Sequence, residues 1–226
     1  MNAAVLFSGG KDSTMAVYNA LKNGDDVRFL LAVKSSNDES YMFHVPNIHL
    51  TDLLAEAMDI PIITIQTPGV KEDELEDLKK GFVKLKESGV EAVYTGALYS
   101  TYQKSRIEKL GLEVGLEIIS PYWHVDELEY MNMIVSLGFK VIISGVSAYG
   151  LDEKWLGRCI DNECISDLVK LNDKIGINLA FEGGEAETLV LDGPIFKKKV
   201  KIIDFEKTWH VDSGVFIIKK AVLEDK

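Results

Sequence analysis

Six residues near the amino end, Ser8-Gly9-Gly10-Lys11-Asp12-Ser13, restrict what this chain can become more than any other stretch. An apolar run at residues 3–7 leads into them. Residues 13–21 leave them with the apolar spacing of an amphipathic helix that closes near Gly24. The expected unit is strand, tight turn, helix. Adjacent glycines let successive backbone N–H groups turn inward around an anion at the positive end of the helix. Ser8, Ser13 and Thr14 add hydroxyl donors and Lys11 adds a point charge, so the expected ligand is a phosphate group. The commoner G-x-x-x-x-G-K-[ST] loop is excluded, because Gly10-Lys11 is followed by Asp12 and no glycine stands five residues before Gly10; G-x-G-x-x-G is absent too.

Downstream, buried-strand patterns at residues 27–33, 61–65, 90–95 and 116–119 alternate with helical patterns at 50–58 and 72–87 and a helix that Ser100 or Thr101 can cap. That alternation implies right-handed crossovers and a parallel sheet. Beyond residue 122 the pattern changes. Helices are expected at 125–137 and 164–175 and a strand at 140–144, followed by strands at 188–191, 200–205 and 215–222 with no helices between them. Residues 179–181 also read as strand-like. The expected fold class is α/β, with a Rossmann-like parallel sheet over residues 1–122 and a smaller α+β domain over residues 123–226.

Net charge narrows the partners. With 25 basic and 36 acidic residues the chain carries −11, which argues against a partner that is mainly phosphate backbone, so no direct nucleic-acid binding is expected. Lys197, Lys198, Lys199 and Lys201 read as solvated charge at a turn. No apolar run is long enough to cross a bilayer. Met1-Asn2 leads straight into the first strand, which leaves no room for a cleavable signal, so a cytoplasmic protein without membrane partners is expected. Cys159 and Cys164 are five apart, which reads as a reduced structural pair, and the four histidines lack metal-ligand spacing. The sequence leaves homo-oligomers open.

Candidate site residues cluster where strands end. In open α/β sheets the ligand lies beyond the carboxyl ends of the strands, so residues 32–35, Val33 among them, should face a nucleotide. The aromatic and histidine-rich loop at 41–49 must be covered by core or by substrate, which makes Tyr41, His44 and Asn47 candidate substrate contacts. At the end of the fourth strand, Gly96 permits close backbone approach, and Lys104 and Arg106 can offset charge on a departing pyrophosphate. Tyr99 and Gln103 join that loop as candidate substrate contacts. A second unusual stretch, Glu182-Gly183-Gly184-Glu185-Ala186-Glu187-Thr188, packs three carboxylates around two glycines. Such crowding of like charge calls for a cation, an amine or a basic partner; the alternative is an acidic, solvated turn.

Taken together, residues 8–13, 40–47, 96–106 and 182–196 resemble the diphthine–ammonia ligase family of PP-loop ATP pyrophosphatases, over nearly the whole chain. The resemblance implies a HUP-type ATP-binding domain, a family-specific second domain, and an enzyme that amidates diphthine on translation elongation factor 2. ATP would transfer AMP to the carboxylate, and free ammonia would then attack, since no glutaminase nucleophile precedes Cys159. On this reading Ser8, Gly9, Gly10 and Ser13 hold pyrophosphate, Lys11 and Arg106 stabilise its charge, and Asp12 binds Mg²⁺. Glu185 and Glu187 handle ammonia or its protons, with Glu182, Gly183 and Gly184 at the acceptor. The family's usual tyrosine is Ala186 here. Rival readings are a PP-loop ligase acting on a small-molecule carboxylate, an RNA-modifying ATP pyrophosphatase, and a nucleotide-sensing module without catalysis.

Overall fold

Alternating apolar strands and amphipathic helices build the expected parallel sheet. The computed structural model describes residues 1–35, 46–68 and 73–226. Its first half runs β1 (Asn2–Leu6), α1 (Lys11–Lys22), β2 (Asp26–Ser35), α2 (Thr51–Met58), β3 (Ile62–Thr67), α3 (Asp73–Glu87), β4 (Ala92–Tyr94), α4 (Thr101–Val114) and β5 (Glu117–Ile119). The five strands pair in parallel in the order β3-β2-β1-β4-β5. Strand order reverses between β1 and β4, and at such a switch the two following loops part and leave a crevice. Those loops are the glycine turn after β1 and the Gly96 loop after β4.

Both faces of this sheet are covered, which is why its strands read as continuous apolar runs. Ala4, Leu31 and Val33 point to one side, against Leu78, Phe82 and Leu85 of α3 and Ile107 and Leu110 of α4. Ala3, Val5 and Leu30 point to the other side, where α1, α2 and the second half of the chain pack.

That second half contains α5 (Glu127–Ser136), β6 (Lys140–Val146), α6 (Asn162–Ile175), β7 (Ala186–Asp192), β8 (Lys198–His210) and β9 (Ser213–Asp225). Its strands form an antiparallel sheet in the order β7-β6-β9-β8. Residues 179–181, expected as a strand, form a turn instead. The Asn178 side chain accepts N–H bonds from Ala180 (2.9 Å) and Glu182 (3.1 Å), a local bonding pattern that competes with a sheet ladder. The core does not stop at the sheet boundary. Met15 and Val17 of α1 belong to the same buried cluster as Leu189, Val190 and Ile218.

Helix starts differ in a way that matters for the site. Ser100, Asp126 and Asp161 cap α4, α5 and α6 through bonds to Gln103, Glu129 and Cys164 N–H. Helix α1 begins at Gly10 with no side-chain cap. Its first amides are left to other partners. Among the described residues, no helix is long and apolar enough to cross a membrane.

Candidate active site

Gly9 takes φ +85°, a backbone conformation that favours glycine, and a Cβ there would press on the Leu54 Cδ1 methyl at 2.7 Å. Gly10 is ordinary extended backbone, φ −73° and ψ 170°. The Ser8 and Ser13 hydroxyls, expected as phosphate donors, lie 3.2 Å apart and stitch the turn to itself; Ser13 Oγ also accepts from Ser8 N–H and donates to Gly10 O. Thr14, expected to join them, is buried in α1. The outer wall comes from the other sheet. Lys11 N–H donates to Thr188 Oγ1 (3.1 Å), and Val190 N–H donates to Gly9 O (3.0 Å), so β7 closes over the turn. Gly96 is required for a related reason. A Cβ there would fall 2.5 Å from the Asp12 carbonyl carbon and 2.7 Å from Ser13 N, so what approaches it closely is the first turn of α1.

Between the turn, the start of α4 and the acidic loop lies a cavity of about 380 Å³. Lys11, Asp12, Gln103, Glu182, Glu187 and Thr188 face it, together with Gly183 and Gly184. Lys11 is only 3% exposed. Its Nζ lies 2.8 Å from Asp12 Oδ2 and 5.7 Å from the Phe181 ring centroid. Asp12 Oδ1 accepts from the Tyr130 hydroxyl at 3.0 Å, and burial holds the Tyr130 phenol well above its ordinary pKa, so it stays a donor.

Two carboxyls here are tuned towards neutrality. Burial, reinforced by Asp12, pushes Glu182 up to about 7 against the opposing pull of Lys11 and of a 3.1 Å bond from Tyr99 N–H. Burial also pushes Glu187 up to about 7, with Asp12 and Glu182 acting the same way and Lys11 opposing. Water reaches Glu187, yet the cleft walls around it displace much of its hydration. Groups poised near neutral pH suit proton transfer.

Glu185, expected to handle ammonia, instead builds the loop. Its Oε1 accepts from Asn178 N–H (3.2 Å) and its Oε2 from Gly183 N–H (2.8 Å). Glu127 at the start of α5 completes the clasp, accepting from Asn178 Nδ2 (2.6 Å) and Leu179 N–H (2.9 Å). Thr188, Tyr130, Glu127 and Asn178 were all missed in the sequence. Of these, only Thr188 lies inside one of the motifs, at the end of the acidic stretch 182–188.

Other expected residues point elsewhere. The Val33 side chain is core. Lys104 pairs with Glu108 and lies 5.0 Å from the Trp123 ring centroid, away from the cavity. Arg106 lines a separate cavity with Leu75 and Lys109 and reaches the site only by stacking on Tyr102, 3.6 Å from its centroid. Asn47 is committed to β9, donating to Phe216 O (2.8 Å) and accepting from Ile218 N–H (2.7 Å). Tyr99 stacks on His124, and its hydroxyl bonds to Val125 O. Tyr41 and His44 lie outside the described residues. Cys159 and Cys164 are free thiols, and burial pushes Cys164 up to about 11, which keeps it protonated and unreactive.

A second cavity, of about 440 Å³, opens on the far side of Glu187. Ser147, Thr208 and His210 line it, and it shares Gly184, Ala186 and Glu187 with the first. Glu187 therefore stands between two spaces, one beside the phosphate turn and one against the antiparallel sheet.

Residues 1–118 match the family model described as the diphthamide synthase N-terminal domain, and residues 126–223 match the diphthamide synthase C-terminal domain. Curated relatives named diphthine–ammonia ligase are similar to most or all of the chain. The Schizosaccharomyces pombe protein is 34% identical across 100% of this chain but only 40% of its own length. The Mus musculus protein is 33% identical over 93% of this chain and 86% of its own, and the Danio rerio protein 32% identical over 100% and 98%. A solved structure, a predicted subunit of tRNA methyltransferase from Methanocaldococcus jannaschii, aligns with 78% of this chain and 88% of its own at 14% identity and a TM-score of 0.41, too slight a likeness to bear on function.

Proposed function

Because the chain belongs to the diphthamide synthase family, we propose that it joins ammonia to the carboxylate of diphthine on elongation factor 2, with ATP converted to AMP and pyrophosphate. The observation that carries this reading is the single cavity in which the first turn of α1, Lys11 and the Glu182/Glu187 pair meet. The first supplies an anion site, and the pair supplies groups that move protons near neutral pH.

A carboxylate repels nucleophiles. Its oxygen attacks the α-phosphorus of ATP, the bond to the β-phosphate oxygen breaks, and pyrophosphate leaves with the electron pair. Lys11 and the α1 amides offset the charge that collects there. Ammonia then attacks the acyl carbon, AMP departs with its oxygen, and the attacking nitrogen loses one proton. Glu187, which lines both cavities, takes that proton, and Glu182 shares the task; their raised pKa values support this reading. The Glu185–Asn178–Glu127 clasp holds Glu182 in position, β7 pairing with β6 holds Glu187, and Arg106 acts through Tyr102.

Asp12, facing the cavity, offers an oxygen donor of the kind Mg²⁺ takes. Among the described residues no group of three acidic, histidine or cysteine side chains is gathered tightly enough to hold a metal alone. A single carboxylate fits an ion that phosphate oxygens would complete, and Mg²⁺ would supply charge neutralisation on those phosphates. Residues 1–122 serve as the ATP-binding domain and residues 123–226 as the acceptor domain, with the 440 Å³ cavity receiving the acceptor side chain.

ATP labelled at the α-phosphate separates the alternatives. AMP and pyrophosphate should form in equal amounts, and only when acceptor is present. ADP as the main product would overturn the assignment.

A further inference from the structure

A further cavity, of about 370 Å³, lies between the loop after β6 and α6. Lys154, Arg158, Lys170 and Lys174 line it against only Asp152 and Asp167. In a chain of net charge −11 this is a local reversal of sign. Arg158 is built in: its guanidinium stacks 4.6 Å from the Trp155 ring centroid and donates to Asp167 (2.7 Å). Asp167 also pairs with Lys170 at 2.9 Å, so one carboxylate is shared by two cations. Asp152 is occupied as a cap, accepting from Lys154 N–H. Among the described residues, Lys154 and Lys174 have no ion pair. Lys174, in the last turn of α6, gains from the helix dipole. Lys154 has no such reason to be there.

Position gives this cavity a meaning. Ser147 lines the cavity beside Glu187, and Gly150 lines the cationic one. Three residues apart, their Cα atoms are separated by at most about 11 Å. Between them in the chain stands Tyr149, with 86% of its surface exposed. A protein acceptor must be held by far more than one modified side chain, since a specific interface covers roughly 800 Å² on each partner. Exposed aromatic anchors beside cationic pockets are the features such interfaces use.

We infer that exposed Tyr149 and the Lys154/Arg158/Lys170/Lys174 cavity dock an acidic segment of the protein acceptor, next to the residue being amidated. This rests on the reading of the acceptor as a protein. The overall negative charge repels a long polyanion, whereas a pocket this size takes one or two carboxylates at short range.

Steady-state amidation of the protein acceptor tests it with the double variant Lys154→Glu/Lys174→Glu and, separately, Tyr149→Ala. All three positions are exposed, so folding should survive, which the thermal midpoint checks. The KM for acceptor should rise by about tenfold or more in the double variant, with kcat and the KM for ATP unchanged. The salt dependence of that KM should flatten. An acidic peptide should compete against wild type and not against the double variant. An unchanged acceptor KM in the folded double variant would overturn the inference. So would competition by single-stranded RNA as strong as that by the peptide, which would assign the cavity to nucleic acid. If wild type itself makes no amide, the proposed function has failed; if wild type works and the variants match it, only the docking surface has.

Discussion

Lys11 is a cation held almost out of water, and Asp12, beside it, is held from its other oxygen by Tyr130. A charge so placed needs little reorganisation when negative charge collects in front of it. Removing such a group costs about 3 to 4 kcal/mol of barrier, so Lys11→Ala should slow amide formation by about two to three orders of magnitude while the fold persists. Arg106→Ala, which acts only through Tyr102, should cost less. Turnover by single-round amidation and the unfolding midpoint check both, and normal turnover in Lys11→Ala would remove the residue from the mechanism. Glu187 makes a different prediction. Its folded pKa is raised from 4.5 to about 7, so between those values the native state holds a proton that the unfolded state has released. The group's contribution to stability therefore falls as pH rises from about 4.5 to about 7, and is flat above that. Glu187→Gln should remove that slope and be more stable than wild type above pH 7. Denaturant titrations at several pH values would show it; parallel curves for the two proteins would contradict the raised pKa.

The acidic loop is an element organised by one side chain. Asn178 donates to Glu127 and accepts from Ala180 and Glu182. Asn178→Ala leaves these groups without their partner and should cost about 1–3 kcal/mol. It should also let Glu182 spread into water and return towards the ordinary carboxylate range, which the pH midpoint of activity would report; a loss of stability with an unmoved midpoint would mean that the clasp does not position the carboxyl. Most elements were legible beforehand, because period-2 and period-3.6 patterns are local. The turn at 179–181 was not. Its apolar residues look like a strand, and the partner that fixes Asn178 sits 51 residues away on α5. Gly96, expected to let a ligand approach, packs against α1, since nothing local says that the end of β4 runs against that helix.

At the scale of the molecule, α1 is packed between the parallel sheet and β7, so the two halves share one core and jointly enclose the site. This explains what the sequence concealed. Six residues announced a phosphate turn, but the cap on its first amide is Thr188, which is 177 residues downstream. Residues grouped by sequence as one loop were separated by helix geometry. Gln103 faces the cavity, while Lys104 and Arg106, on the same helix, turn to Trp123 and to another cavity. Thr188→Val should therefore weaken ATP binding although its own strand belongs to the second sheet, and calorimetric titration with ATP would check this; unchanged affinity would mean that β7 merely lies beside the turn. The most direct test of the whole account is the intact mass of diphthine-bearing elongation factor 2 after incubation with the protein, ATP, Mg²⁺ and ammonium. The acceptor should be converted to its carboxamide with one AMP released for each molecule changed. AMP release with no change in the acceptor's mass, or conversion that needs no ATP, would contradict it.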